Sequence, residues 1–97
     1  MTTINKLRSK AFQIAHQVKS MVENWSTALR IGWVIAKLFN GISLDIEFAK
    51  GTGELRKAKA IAIGSLDTIQ RGFLRFVESV ADGQTQWRSF KIDRLVF

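Results

Sequence analysis

The spacing of the apolar residues changes at Gly41, and this change limits what the chain can fold into. Before Gly41, apolar residues recur every three or four positions, which is typical of one face of a helix. After Gly41, apolar and polar residues alternate, which is typical of half-exposed strands. The sequence therefore predicts one α+β domain of residues 1–97, with a helical part over 1–41 and strands over 42–97.

Two helices are predicted before Gly41. The first covers about residues 3–22, and its apolar face consists of Ile4, Leu7, Ala11, Ile14, Val18 and Met21. The second covers about residues 27–39, with Ser26 or Asn24 as its N-cap and Gly41 in a left-handed conformation after its end. Because the second helix is apolar almost all round, it is expected to lie between the first helix and a sheet, or in a dimer interface. Trp33 is expected to be buried in either case.

Five short strands are predicted after Gly41, at about residues 43–48, 54–63, 73–80, 85–90 and 94–97. The loops at residues 50–53 and 82–83 predict hairpins. Two sets of residues are each expected to share a face of their strand: Leu55, Ile61 and Ile63 on the second strand, and Leu74 and Phe76 on the third. Short strands joined by hairpins favour a small closed antiparallel barrel, in which Phe90, Leu95 and Phe97 complete the core. The second helix is expected to cover the barrel.

The charge of the chain is strongly positive, at +7. Residues 1–41 carry six basic residues and one acid, whereas residues 42–97 carry nine basic residues and seven acids. Such a basic segment favours binding to a polyanion, although a positive surface that only confers solubility remains an alternative. The start of the chain has no apolar signal segment, and the longest apolar run is too short for a membrane span. The sequence thus predicts a cytoplasmic protein that does not contact membranes.

The strand region carries a resemblance. IEFAKGTGELRKAKA, followed after a spacer by FLRFVESVADGQTQWRSFKIDRLVF, resembles a family of phage and mobile-element proteins with an Sm-like, SH3-type barrel, related to the WYL-associated family. The matching positions are Gly53, Leu55, Arg56, Trp87, Arg88, Ser89, Phe90, Asp93 and Arg94. The chain has no tyrosine, so it departs from the signature that names WYL domains. The resemblance implies two helices packed on a five-stranded SH3/Sm-like barrel, and it implies no catalytic residues. It also implies a phage origin, which would place the protein in the cytoplasm of a host cell.

Catalytic and cofactor chemistry are not predicted. The single histidine, His16, falls on the polar face of the first helix, and no metal-ligand spacing is present. The loop at residues 51–53 lacks the Gly-Lys-Ser/Thr sequence of a phosphate loop. Asp93 and Arg94 are expected to have structural roles, Asp93 as a cap of backbone amides and Arg94 as the partner of a carboxylate. Arg88 is expected either to lie on an aromatic ring or to reach a phosphate.

A non-enzymatic binding protein is therefore predicted, and three hypotheses remain open. The first is an inhibitor of a host nucleoprotein such as a CRISPR effector, that is, an anti-CRISPR protein. The second is a protein that binds RNA or single-stranded DNA directly. The third is a structural protein that forms a homodimer through the second helix. The predicted contact residues for a nucleoprotein or nucleic acid are Lys6, Arg8, Lys10, Lys19, Arg56, Arg75, Arg88 and Lys91.

Overall fold

The computed structural model describes residues 3–96 and shows an α+β fold, as predicted. The helices are α1 (Thr3–Val18) and α2 (Trp25–Phe39), and the strands are β1 (Leu44–Ala49), β2 (Leu55–Ile63), β3 (Phe73–Ala81), β4 (Gln84–Lys91) and β5 (Leu95–Val96). Short 3₁₀ helices cover Lys19–Met21, Leu66–Arg71 and Ile92–Arg94. The strands form one antiparallel sheet in the order β4-β3-β2-β1-β5. Two helices and a five-stranded sheet are therefore confirmed.

The ends of α2 follow local hydrogen-bonding rules. Asn24 is the N-cap, and its side chain accepts a hydrogen bond from the Thr27 amide at 2.9 Å, so the helix begins two residues earlier than predicted. After the helix, Gly41 has a φ of +83°, a left-handed conformation that favours glycine. The predicted left-handed conformation of Gly41 after the end of α2 is confirmed.

Small residues bring the two helices close together. Ala11 and Ala15 of α1 and Ala28 of α2 are fully buried. At the crossing, a Cβ built on Gly32 would lie only 2.3 Å from the carbonyl oxygen of Ala11. Because real Cβ atoms do not approach an oxygen so closely, only glycine permits this helix spacing.

Helix α2 lies between α1 and the sheet, where it packs on β1 and β2. The predicted packing of this helix between the first helix and a sheet is thus confirmed, and its residues Ile31, Ile35 and Leu38 are buried. Trp33 is only half-buried at the margin of the core, so its predicted burial is met only in part. The dimer through α2 remains a prediction.

One face of the sheet belongs to the core that the helices share. It presents Ile46 and Phe48 of β1, Ala58 and Ala60 of β2, Leu74 and Phe76 of β3, and Phe90 of β4. The predicted apolar face of β2 is therefore wrong at Leu55, which is 58% exposed while two alanines face the core; Ile63 of the predicted set does pack against the core. A register shift between Ala60 and Ala62 also breaks the strict alternation of β2.

The sheet is not closed, and the predicted closed barrel is wrong. Among the described residues, β4 pairs only with β3, and β5 pairs only with β1, where Leu95 lies opposite Phe48. The 3₁₀ helix Ile92–Arg94 carries the chain from one edge of the sheet to the other, with Ile92 fully buried. Phe97, which was expected to complete the core, lies outside the described residues. Over the described part of the chain, neither helix has the length and apolarity required to cross a membrane.

Substitution of Gly32 by Ala tests the close approach of the helices. Alanine has a helix propensity about 1 kcal/mol better than glycine, so in an open position the substitution would stabilise α2. Here the clash with Ala11 is expected to outweigh this gain and to lower the free energy of unfolding by about 2 kcal/mol, which corresponds to a fall in Tm of about 10 °C. Urea and thermal denaturation measure the change. Arg30→Ala, on the exposed side of the same helix, is the control, and a Gly32→Ala variant as stable as wild type would contradict the assigned packing.

Candidate functional site

A buried carboxylate organises two arginines of the sheet. Glu78 lies in line with Leu74 and Phe76 on the core face of β3 and is 6% exposed. Its Oε1 accepts hydrogen bonds from Arg56 Nη2 at 2.7 Å and from Arg88 Nε at 3.2 Å. The carboxylate therefore fixes one guanidinium from β2 and one from β4 on the same side of the sheet.

Arg88 has a second acceptor beside it on β4. The amide of Gln86, with its oxygen turned toward the guanidinium, accepts from Arg88 Nε at 2.9 Å and from Nη2 at 2.6 Å. By contrast, Arg56 Nε is buried and has no hydrogen-bond acceptor among the described residues. Arg88 is thus held by two acceptors, whereas Arg56 retains a donor that nothing satisfies.

Next to these arginines is a cleft of about 520 Å³, which we call the arginine cleft. Its walls carry five cationic residues and, among the described residues, no acidic one; the cations are Lys50, Arg56, Arg88, Lys91 and Arg94. Arg94 Nη1 donates a hydrogen bond to the carbonyl oxygen of Lys50 at 2.9 Å, which ties the turn before β5 to the β1–β2 hairpin. Phe48 and Phe90 contribute apolar surface. The arginine cleft is therefore a concave, positively charged site.

The opposite face of β3 and β4 forms a second surface. The strand register places Phe73 opposite Lys91, Arg75 opposite Ser89, and Val77 opposite Trp87. Directly opposed residues of an antiparallel pair project from the same face. We call this surface, together with Arg71 at the end of the 3₁₀ helix before β3, the aromatic–basic face; its members are Arg71, Phe73, Arg75, Val77, Trp87, Ser89 and Lys91.

Cations lie on the rings of the aromatic–basic face. The Arg75 guanidinium is 5.2 Å from the centroid of the Trp87 ring, and the Arg71 guanidinium is 5.9 Å from that of Phe73. These are cation–π distances. The Trp87 side chain nevertheless stays 54% exposed, so much of its ring surface remains open to solvent.

The neighbouring part of the same face, on β1 and β2, has balanced charges. Lys57 lies opposite Glu47, with Nζ 3.9 Å from the carboxylate, and Lys59 lies opposite Asp45. The aromatic–basic face has no acidic member, and Asp93 adjoins it beside Arg71, Phe73 and Lys91. The excess positive charge of this side of the sheet is therefore concentrated on β3 and β4.

The structure divides the predicted contact residues among three surfaces. On the helical part, Lys6, Arg8 and Lys19 are exposed, whereas Lys10 is half-buried with its Nζ 4.6 Å above the Phe39 ring. The sheet brings Arg56 and Arg88 together on Glu78. Arg75 and Lys91 belong to the aromatic–basic face, and Lys91 also lines the arginine cleft.

Two predicted arginine roles differ from those found. Arg88 was expected to stack on a ring or to reach a phosphate. It pairs with Glu78, and Arg75 is the arginine beside Trp87, so the stacking of Arg88 is wrong, whereas its contact with a phosphate stays a prediction. Arg94 was expected to pair with a carboxylate, but it binds a backbone carbonyl. Asp93 was expected to cap backbone amides. It lies inside the 3₁₀ helix Ile92–Arg94, whose N-terminal end has no hydrogen bond from a capping side chain.

Sequence reasoning missed three residues of these surfaces. Glu78 could have been found, because it continues the alternation of Leu74 and Phe76 and a carboxylate on a core face needs a cationic partner. Lys50 gave no signal, since its position depends on how the hairpin folds against the turn before β5. Trp87 was noted only for its place in the terminal motif, and its exposure depends on the register that places it on the face of β4 away from the core.

Removal of the charge of Glu78 tests whether it holds the two arginines. Glu78→Gln keeps the shape of the side chain but leaves Arg56 and Arg88 without their shared anion. A fully buried pair would lose about 3–5 kcal/mol, but these arginines are 25% and 39% exposed, so we expect a loss of roughly 2 kcal/mol in the free energy of unfolding. Urea denaturation measures it. The matched control is Glu47→Gln, whose lysine partner is 85% exposed, and equal effects of the two substitutions would show that Glu78 has no special role.

The described residues combine a cationic cleft with an exposed aromatic surface. Residues 3–96 contain no group of three or more histidine, cysteine, aspartate or glutamate side chains that could hold a metal ion. His16 is exposed, with its ring centroid 4.9 Å from that of Trp25. Comparison of the chain with protein-family models, with curated proteins and with solved structures finds no match in any of the three.

Proposed function

We propose that this protein binds single-stranded nucleic acid through the aromatic–basic face. The observation that carries the proposal is the exposure of Trp87 beside the Arg75 guanidinium on an edge strand. A nucleobase can stack on such a ring because every base has a π-face, while neighbouring cations contact the phosphates. A large aromatic ring left in water next to cations is typical of a binding surface.

The charge distribution supports the same proposal. Arg71, Arg75 and Lys91 flank the rings of the aromatic–basic face with no acid among its members, whereas the lysines of β2 lie opposite acids. A nucleic-acid strand would therefore meet net positive charge along β3 and β4 and release counterions on binding. A single strand is favoured over a duplex, because base pairing hides the faces that would stack on Trp87.

We also propose that the sheet is an open form of the SH3/Sm-like barrel implied by the resemblance. The return of β5 to pair with β1 supports this, because it brings the end of the chain back beside the first strand. Curved sheets of small barrels provide surfaces for RNA or single-stranded DNA. The phage origin remains a prediction.

Inhibition of a host nucleoprotein such as a CRISPR effector also remains a prediction. The exposed cations Lys6, Arg8 and Lys19 on the helical side would give such an inhibitor a second positive surface. Binding to a guide-loaded nuclease, with no binding to free RNA or DNA, would favour inhibition over the proposed function. A dimer through α2 can be detected by light scattering on the same samples.

Fluorescence anisotropy with labelled single-stranded oligonucleotides tests the role of Trp87. Base stacking on an aromatic side chain contributes about 1–3 kcal/mol, so Trp87→Ala is expected to weaken binding by about 5- to 150-fold. Trp25→Ala is the matched control, because Trp25 is also exposed but contacts Phe12 and His16 on the helical side. Circular dichroism verifies that both variants fold. Equal affinities of wild type and Trp87→Ala would contradict the proposal.

The salt dependence of binding tests the electrostatic part. For a single strand, removal of one side chain that neutralises a phosphate should reduce the slope of log affinity against log salt by roughly 0.7. Arg75→Gln is expected to show this reduction. A triple variant with Lys6, Arg8 and Lys19 changed to Gln is the comparison, and Lys10 is left in place because it contacts Phe39. If only the triple variant lowers the slope, the binding surface is on the helical side and the proposed face is wrong.

A further inference from the structure

We propose that the arginine cleft binds a phosphate monoester group. The group could be the terminal phosphate of a nucleic-acid strand or the phosphate of a free nucleotide, which present the same chemistry. This inference extends the proposed function, because Phe73, Arg88 and Ser89 line both the cleft and the adjoining groove of the aromatic–basic face beside Trp87. A strand lying on that face would have its end next to the cleft.

The charge of the cleft favours an anionic occupant. Its five cations come from the β1–β2 hairpin, from β2, from β4 and from the turn before β5. The carboxylate of Glu78 lies behind them and offsets one positive charge. Since concave walls focus the field of the remaining cations, the site attracts an anion more strongly than an open surface with the same charges would.

The donors of the cleft are already positioned for an oxyanion. Arg56 and Arg88 are held by Glu78, and Arg94 is held by the Lys50 carbonyl, so their guanidinium groups have little freedom to lose on binding. The unsatisfied Nε of Arg56 shows that the donors of this cluster exceed its protein acceptors. A planar guanidinium fork matches the spacing of phosphate or carboxylate oxygens.

Two observations favour a phosphate monoester over the carboxylate of a peptide terminus. The cleft has a net charge well above one after Glu78 is counted, and a phosphate monoester is close to a dianion at neutral pH, whereas a carboxylate carries one charge. The cleft also adjoins the aromatic–basic face along Phe73, Arg88 and Ser89, so a base attached to the phosphate could stack there. A volume of about 520 Å³ is within the range of sites that hold small ligands.

The affinities of matched oligonucleotides test the inference. Oligonucleotides of one sequence with a 5′-phosphate, a 3′-phosphate or only hydroxyl ends are compared by anisotropy. A terminal phosphate at one end is expected to tighten binding at least about tenfold, the effect of one charge-assisted hydrogen bond. In parallel, inorganic phosphate and a nucleoside monophosphate are expected to raise the Tm of the protein alone. A short peptide with a free C-terminal carboxylate is added as the competing ligand.

Four variants separate the cleft from the aromatic–basic face. Lys50→Gln and Arg94→Gln should reduce the preference for the phosphorylated end and leave binding of the hydroxyl oligonucleotide nearly unchanged. Lys59→Gln is the matched control, because it removes one positive charge from the other face of β2. Trp87→Ala should weaken binding of every oligonucleotide and keep the preference.

Each result of these experiments decides between the alternatives. If no oligonucleotide binds but phosphate still raises the Tm in a way that Lys50→Gln reduces, the cleft takes a free phosphate and the proposed function is wrong. If oligonucleotides bind without preference for a phosphorylated end, and phosphate has no effect on Tm, the inference is overturned while the proposed function stands. Stabilisation by the peptide and not by phosphate would also overturn it.

Discussion

The ion pairs of Glu78 determine how the functional side chains of the sheet are arranged. Because the carboxylate is on the core side of β3, Arg56 and Arg88 must face that side to reach it. Residues alternate along a strand, so the position of Arg88 sends its neighbour Trp87 to the opposite face. One buried charge thus accounts both for a cleft lined by arginines and for an exposed tryptophan beside Arg75.

The helices and the open sheet edge complete this arrangement. The contact of Gly32 with Ala11 brings α1 close to α2, and α2 in turn packs on β1 and β2. The helices therefore leave the aromatic–basic face of β3 and β4 uncovered. Because β4 and β5 do not pair, the space between β4 and the β1–β2 hairpin, to which Arg94 is hydrogen-bonded, stays open as the arginine cleft.

Local patterns predicted much of the fold. The apolar spacing of α1, the glycine stop of α2 and the two hairpins follow from residues near each other in sequence. Features that depend on distant residues were predicted less well. The outward position of Leu55 depends on the register with β1, and the open sheet depends on where β5 pairs. The predicted contact residues included Arg56 and Arg88, but their shared partner lies 22 and 10 residues away in sequence, and only the pairing of β3 with both neighbouring strands brings the three together.

The most direct test of the central claim is an NMR titration of the three indole N–H signals with a single-stranded oligonucleotide. Trp25, Trp33 and Trp87 lie on the helical side, at the margin of the core and on the aromatic–basic face, respectively. The account predicts that the Trp87 signal shifts in proportion to bound oligonucleotide, while those of Trp25 and Trp33 stay in place. A shift of the Trp25 signal with none at Trp87 would contradict it.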